Sequence, residues 1–468
     1  MNELLKTPVV ELAARIRAKQ LSPVELMDAT LARIDATQSK LNTFVAVRDS
    51  NDLFAEARAA EARVMSGSAR PLEGIPLGVK DLEDVAGMVT THGSRVYRDH
   101  VAETDSIQVA RLRAAGAVVI GKMNTPEFGY TAITKNLLFG ATRNPWNHER
   151  TPGGSSGGAS AGIAGGVIPI ATAGDGGGSI RIPASFTGCF GLKTSYGRVP
   201  RGPEPLWIMD DTAVYGPLTR TVEDAALFLD VVAGPHPLDP NSLPRVDFSY
   251  RNVLRNLQRP LRCAFSPDLG YAVVQSDVAA IVRDAARVFE ELGHHVEQIS
   301  GGPPEMAYHW GLIGAFELYG MLEEFLPERE QEFGRGFLNG IKVGAGMTAA
   351  DWTAARRRRT ELNRWCAGVF ERYDLLLTPT VPFDPPPAGG PFPEEIEGRR
   401  ARLGAVASFT IPFNLSWHPA ATVRAGFSKA KLPVGLQIVG PRHRDDLVMQ
   451  AAFAFEQARP WASSWPDV

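Results

Sequence analysis

The sequence predicts an α/β protein in which helices cover a sheet, and two observations lead to this prediction. Short apolar runs typical of buried strands, such as residues 117–121 and 167–173, alternate with segments of helical periodicity. The chain has 468 residues and 44% of them are apolar, which is enough for a large buried core. Strands interleaved with helices pack as layers, and no change of composition marks a domain boundary.

The N-terminal half is predicted to alternate helices with strands. Residues 8–36 should form two helices separated at Ser22-Pro23, because Ser22 is a favourable N-cap and Pro23 suits the first helical position. The other elements predicted here are a strand at 41–47, a helix at 52–66, a strand ending at Lys80, a helix at 105–115, a strand at 117–121, a helix at 155–166 and a strand at 167–173.

The C-terminal half continues the alternation around one irregular segment. Thr221 and Asp224 have capping-box-like spacing at the start of a helix over 219–233, and Gly293 ends a helix over 276–293. The proline- and glycine-rich residues 378–393 should form a loop near the functional site. The other predicted elements are strands at 294–299, 374–377 and 432–439 and helices at 349–372 and 445–457.

Charge and composition argue against several classes of protein. The net charge of −3 does not indicate a polyanionic partner, and the three cysteines are too far apart for a metal site or a disulfide framework. The N-terminal segment has acidic residues early and no long apolar core, which predicts an amphipathic helix rather than a signal peptide, and no apolar run has transmembrane length. We therefore expect a cytoplasmic protein without nucleic-acid or membrane partners.

Two clusters of glycine and serine, at 153–158 and 174–179, indicate a binding or catalytic site. Glycine lets backbone N–H groups approach a bound group, and consecutive free N–H groups form an anion-binding concavity. A serine in such a concavity is either a phosphate ligand or a nucleophile beside its own oxyanion hole. The second cluster follows a predicted strand, as an oxyanion hole beside Ser179 requires. There is no P-loop motif, but a phosphate cradle and a purely structural turn are alternatives.

Lys80 ends a predicted apolar strand, and two interpretations of it stand side by side. Its stem can be buried while the ammonium group reaches solvent. Alternatively, burial lowers the pKa of the amine, because desolvation disfavours the charged form, and a neutral lysine can take a proton from a serine.

Residues 154–158 also match the G-x-S-x-G nucleophile elbow, with Ser156 at its centre. This match is weak, because the elbow serine directly follows a strand whereas a loop precedes Ser156. The motif would also need a late histidine and an acid. The candidates are His418 and His443, with Asp445 or Asp446.

Several longer motifs extend over nearly the whole chain. They are LSPVELMDATLARID, GIPLGVKD, AAGAVVIGKMNTPEFG, FGATRNPWN, TPGGSSGGASAG, GDGGGSIRIPASFTGCFGLKTSYGRVP, GPLTRTVEDAALFLD and LPVGLQIVGP. With them the chain resembles the amidase signature family of serine hydrolases. The resemblance implies one α/β/α sandwich domain over 1–468 with a mixed central sheet. It comprises an N-terminal helical segment at 1–65, a signature core at about 66–235 and a substrate-pocket and C-terminal part at 236–468.

The resemblance also implies a Ser–cis-Ser–Lys triad. Ser179 corresponds to the nucleophile, Ser155 to the bridging serine after a cis peptide bond, and Lys80 to the base, while Asp175 and Arg181 support the loop. The family's oxyanion hole maps onto the amides of Gly176, Gly177, Gly178 and Ser179. Two positions outside the triad side chains depart from the family, since many members carry Ser or Thr at Gly174 and a larger residue at Gly176.

The function implied is hydrolysis of the C–N bond of a small neutral or aromatic amide through an acyl-enzyme, without a metal or organic cofactor. Alternatives on the same machinery are the glutaminase subunit of a tRNA-dependent amidotransferase and a carbamate, ester or hydrazide hydrolase. A nucleotide-binding module is the alternative outside enzymes, and a homodimer is one assembly to consider. The side chains that could line the substrate pocket are Trp207, Met209, Trp310, Phe316 and Trp417.

Overall fold

One mixed sheet of eleven strands runs through the residues that this computed structural model describes, which are 3–203, 209, 211–257 and 259–468. Two short two-stranded ribbons accompany it. The strands are β1 (Phe44–Val47), β2 (Pro76–Lys80), β3 (Val118–Met123), β4 (Lys135–Asn136), β5 (Gly140–Ala141), β6 (Ile170–Asp175), β7 (Phe190–Lys193), β8 (Val214–Thr219), β9 (Arg262–Phe265), β10 (His295–Gln298), β11 (Leu375–Pro379), β12 (Glu395–Ile396), β13 (Arg399–Arg400), β14 (Ala420–Phe427) and β15 (Pro433–Val439).

The order of strands in the sheet is β1-β3-β2-β6-β8-β7-β14-β15-β11-β9-β10. The strand β2 is parallel to both of its neighbours, β3 and β6, whereas β8 is antiparallel to β6 and β7. Leu77 pairs with Ile170 and Gly78 with Ala171, so β2 and β6 end at the same edge of the sheet. At this edge Lys80 lies close to both Gly/Ser clusters.

Helices cover both faces of the sheet, as the sequence predicts. Alternate residues of β3 show this, because Val119 packs into one core while Val118 and Ile120 pack into another. The helices are α1 (Val9–Arg17), α2 (Pro23–Leu41), α3 (Ser50–Met65), α4 (Ile107–Ala114), α5 (Gly157–Ala164), α6 (Arg181–Thr187), α7 (Val222–Val232), α8 (Tyr250–Val253), α9 (Ser276–Glu291), α10 (Ala307–Leu322), α11 (Arg335–Gly344), α12 (Ala349–Arg372), α13 (Ile411–Leu415) and α14 (Asp445–Ala458). None of the helices within the described ranges is long and apolar enough to cross a membrane.

Three local expectations need correction. The strand predicted at 167–173 lies at Ile170–Asp175, because α5 ends at Ala164 and a turn with Gly166 at a φ of +62° precedes the strand. Thr221 caps α7, but Asp224 uses a carboxylate oxygen to accept the N–H of Val10, 2.9 Å away. The capping box is therefore only half formed. The first two residues of the proline-rich segment 378–393 still pair within β11.

Candidate active site

A cavity of about 470 Å³ opens where β2 and β6 end. Lys80, the last residue of β2, and Asp175, the last residue of β6, both line it. Ser155 and Ser179 also line it, so the structure brings the two clusters and the lysine into one site. Parallel pairing of the two strands explains this, because their carboxyl ends must emerge side by side.

The side chain of Lys80 is buried and contacts both serines of the first cluster. Its Nζ donates hydrogen bonds to Oγ of Ser155 and Oγ of Ser156, each at 2.8 Å. Burial lowers the pKa of Lys80 to about 7, although the negative charges of Glu83 and Asp175 raise it. The residue is only 2% exposed, so the interpretation of a lysine reaching solvent is wrong. A large fraction of this amine is neutral at neutral pH and able to accept a proton.

The backbone of the first cluster presents its serines to the lysine and also contacts the second cluster. The peptide bond between Gly154 and Ser155 is cis. The N–H of Ser156 donates to the carbonyl oxygen of Ser179 at 3.3 Å. This bond ties the two Gly/Ser clusters together beside Lys80.

The nucleophile elbow centred on Ser156 is not supported. Its Oγ contacts the amine of Lys80 rather than an imidazole. The Nδ1 atom of His418 lies 2.8 Å from Oγ of Ser416, and burial lowers the pKa of this histidine to about 3. Within the described residues, neither His418 nor His443 lines the cavity.

Asp175 and Arg181 form a buried ion pair at the base of the second cluster. The guanidinium contacts both carboxylate oxygens, with Nη2 2.9 Å from Oδ1 and Nε 3.0 Å from Oδ2. Burial alone raises the pKa of Asp175, but the charge and hydrogen bonds of Arg181 outweigh it and hold the pKa at about 2. Arg181 also donates to the carbonyl oxygen of Thr410 and to the side-chain oxygens of Gln437 and Asn414. The pair thereby attaches the turn to α13 and β15.

Residues 176–179 form a turn between β6 and α6, and all four line the cavity. Oδ2 of Asp175 accepts the N–H of Ile180 at 3.1 Å, which fixes the far end of the turn. Gly178 has a φ of +140°, a conformation that residues with a Cβ rarely adopt. Among the described residues, no acceptor is recorded for the backbone N–H groups of 176–179. These donors are therefore available to an anion in the cavity.

Glu83 is a buried carboxyl group on the cavity wall that the sequence analysis missed. Its Oε2 accepts a hydrogen bond from Nε2 of Gln108 at 2.7 Å, and burial raises its pKa to about 7. The only sequence signal is its position three residues after Lys80.

Across the described part of the chain, no group of three or more His, Cys, Asp or Glu side chains could hold a metal ion.

The cavity wall is mainly apolar, and two of the five predicted pocket side chains belong to it. Met209 and Trp310 line the cavity, whereas Phe316 is 47% exposed and Trp417 is 38% exposed, and neither of these lines it. Phe316 follows Trp310 on α10 by six residues, roughly 240° of helical rotation, so it faces another direction. Trp207 lies outside the described residues. Other apolar lining residues are Phe128, Leu312, Leu318, Phe392, Val406 and Ile411.

Comparison with known proteins gives matches along nearly the whole chain. The family model Amidase matches residues 25–449. An acylamidase of Rhodococcus erythropolis is 37% identical over 97% of this chain and 96% of its own length. A glutamyl-tRNA(Gln) amidotransferase subunit from Roseiflexus castenholzii is 35% identical over 100% of this chain and 99% of its own length. The structure of a bacterial aryl acylamidase of the amidase signature enzymes family superimposes with a TM-score of 0.92, at 32% identity over 97% of each chain.

Replacing Arg181 with Met should destabilise the protein by about 3–5 kcal/mol at pH 7, because Asp175 is left buried without its partner. In the wild type the low pKa of Asp175 adds stability that is complete above about pH 4 and is lost between about pH 4 and 2. In the variant, burial raises the pKa of Asp175 above its value in the unfolded chain, so protonation favours the folded state. The difference in unfolding free energy between wild type and variant should therefore shrink as the pH falls from 7 to 4. Urea unfolding at several pH values measures this.

The matched control is Arg358→Met, which breaks an exposed ion pair with Glu361 on α12. It should cost less than about 1 kcal/mol at any of these pH values. A deficit in Arg181→Met that stays constant between pH 7 and pH 4 would contradict the electrostatic explanation.

Proposed function

Since the chain belongs to the amidase family of amide-hydrolysing enzymes, we propose that it cleaves the C–N bond of a small-molecule amide through Lys80, Ser155 and Ser179. The observation that carries this proposal is the 2.8 Å hydrogen bond between the buried amine of Lys80 and Oγ of Ser155. A lysine whose pKa is lowered to about 7 is an effective general base near neutral pH.

The proposed reaction begins with two proton transfers along this set of residues. Neutral Lys80 takes the proton of Ser155 while Oγ of Ser155 takes the proton of Ser179. Oγ of Ser179 then attacks the carbonyl carbon, and the C–N bond breaks as a proton returns through Ser155 to the leaving nitrogen. The acyl-enzyme ester on Ser179 is hydrolysed by water along the same route, which releases the acid and regenerates the three residues.

The negative charge that develops on the substrate oxygen needs donors fixed in advance. We assign this role to the backbone amides of Gly176, Gly177, Gly178 and Ser179. Their place on the cavity wall supports the assignment, as does the lack of another recorded acceptor for them among the described residues. Donors that need no reorganisation during the reaction stabilise such a charge most effectively.

The apolar wall supports a neutral or aromatic substrate. Glutamine hydrolysis is the second candidate, and the similarity to the glutamyl-tRNA(Gln) amidotransferase subunit favours it. Glutamine carries an ammonium and a carboxylate group, and transferring such charges beside apolar side chains is costly without partners. Esters, carbamates and hydrazides are further substrates of the same acyl chemistry. The homodimer, the cytoplasmic location and the division into three segments stay predictions.

A turnover panel separates the two substrate classes. The purified chain alone should hydrolyse a neutral acyl anilide with a kcat/KM at least about 100-fold above that for glutamine, because burying the ammonium and carboxylate groups of glutamine against a mainly apolar wall is costly. The panel should include the matching ester and carbamate, and release of aniline or ammonia is the measurement. Efficient glutamine hydrolysis with no anilide turnover would favour the glutaminase instead.

Ser179→Ala should abolish both turnover and covalent labelling by a fluorophosphonate, because alanine has no side-chain hydroxyl that could act as the nucleophile. Mass spectrometry of the labelled wild type should place the adduct on the peptide that contains Ser179. The control is Ser185→Ala in α6, because Ser185 is buried and its hydroxyl has no recorded hydrogen-bond partner among the described residues. Labelling of Ser179→Ala at the wild-type rate would remove Ser179 as nucleophile.

The value of kcat/KM should rise from pH 6 to pH 8 with a midpoint near 7, because the protonated amine of Lys80 cannot accept a proton and the neutral amine can. Glu83→Gln should move this midpoint to lower pH, since the negative charge of Glu83 raises the pKa of Lys80. Steady-state rates across the pH range measure both effects. A rate that falls between pH 7 and pH 8 in the folded wild type would exclude Lys80 as the base.

A further inference from the structure

The carbonyl groups of residues 175–177 accept hydrogen bonds from side chains in other parts of the fold. Trp310, on α10, donates its indole Nε1–H to the carbonyl oxygen of Gly176 at 2.9 Å, and this is a shorter contact than the 3.4 Å between the same oxygen and Oγ1 of Thr212, which also lies 3.2 Å from the carbonyl oxygen of Met209. Its ring also packs on the next residue, because a Cβ added to Gly177 would overlap the indole. Trp310 therefore contacts the turn through both a hydrogen bond and its aromatic surface.

The neighbouring carbonyls have partners from α13 and its N-terminal cap. Oγ1 of Thr410 donates to the carbonyl oxygen of Gly177 at 2.6 Å, and Nδ2 of Asn414 donates to the carbonyl oxygen of Asp175 at 2.8 Å. Thr410 and Asn414 are fully buried. Buried side-chain hydrogen bonds of this kind keep one geometry, because breaking them leaves an unpaired polar group.

Each of these bonds fixes the direction of an amide as well as of a carbonyl. The C=O and N–H of one trans peptide unit point in opposite directions within a plane. A donor bound to the carbonyl of Gly176 therefore fixes the direction of the N–H bond of Gly177. In the same way, a donor bound to the carbonyl of Gly177 fixes the direction of the N–H bond of Gly178. These are two of the amides assigned to the oxyanion hole.

We propose that Trp310 and Thr410 are positioning residues that orient the oxyanion-hole amides of Gly177 and Gly178 through the carbonyls of the preceding residues. This inference rests on the proposed function, because it presupposes a covalent intermediate on Ser179. Trp310 also lines the cavity, so the same side chain contacts both the substrate space and the turn.

The test is Trp310→Phe, which keeps an aromatic ring on Gly177 and removes the indole N–H. Complete loss of an oxyanion donor costs about 10²–10³ in kcat, so loss of its orientation should lower kcat by at least about 10-fold. The KM for a neutral acyl anilide should change by less than about twofold, because the wall stays apolar. Trp352→Phe on α12 is the control, since this tryptophan is 41% exposed and outside the cavity, and it should keep the wild-type kcat.

A second measurement reports on the oxyanion contact itself. The wild type should hydrolyse an ester much faster than the matching thionoester, because sulfur is a poorer hydrogen-bond acceptor than oxygen. The ratio of the ester rate to the thionoester rate should be smaller in Trp310→Phe than in the wild type if the amides are misaligned. A merely structural role of Trp310 would leave this ratio unchanged.

Thr410→Val tests the same idea at the next carbonyl and provides an independent variant if Trp310→Phe does not fold. It keeps the shape of the side chain, removes the hydroxyl that donates to Gly177, and should show the same pattern of kcat, KM and rate ratio. If folded variants keep a kcat within twofold of the wild type and an unchanged ratio, the inference is overturned. If the wild type is not labelled at Ser179 by a fluorophosphonate, the proposed function fails instead.

Discussion

The buried ion pair between Asp175 and Arg181 is the interaction on which the geometry of the site depends. Removing both charges from water is costly, and a buried pair is tolerated only where every remaining donor and acceptor also has a partner. Arg181 meets this condition, because its guanidinium donates to Asp175, Gln437, Asn414 and the carbonyl oxygen of Thr410. A lysine could not replace it, since an ammonium group has neither the planar shape nor the number of donors that these acceptors require.

The same burial has the opposite effect on Lys80, which lies at the end of the neighbouring strand. Asp175 has a guanidinium within 3.0 Å and stays ionised, with a pKa of about 2. The hydrogen-bond partners of the Lys80 amine are hydroxyl groups and a carbonyl, so desolvation dominates and lowers its pKa to about 7. Two adjacent strand ends thus hold one permanent charge and one group that exchanges a proton near neutral pH, which suits the role of general base proposed for Lys80.

Much of this arrangement could be predicted from the sequence, and the exceptions have physical causes. The alternation of elements predicted the α/β layers, and the motif around Lys80 placed a lysine at a strand end, because local periodicity determines both. The start of β6 was missed by three residues, since the apolar run at 167–169 belongs to a turn. Phe316 was mistaken for a pocket residue because composition does not reveal which face of α10 meets the cavity. Glu83 was missed because only the folded chain shows that its carboxyl group is buried on the wall.

The contacts that hold the turn were the least predictable, because their donors come from segments far away in the sequence. The turn itself lies at residues 176–179, but the carbonyls of residues 175–177 accept hydrogen bonds from Trp310, Thr410 and Asn414, more than 130 residues further along the chain. No local pattern can indicate a partner at that separation. A glycine-rich turn has little conformational preference of its own, because glycine populates many backbone states. Contacts from outside the turn therefore help to select its geometry: side chains of the C-terminal half hold three of these carbonyls, while the carboxylate of Asp175 and the start of α6 hold the far end.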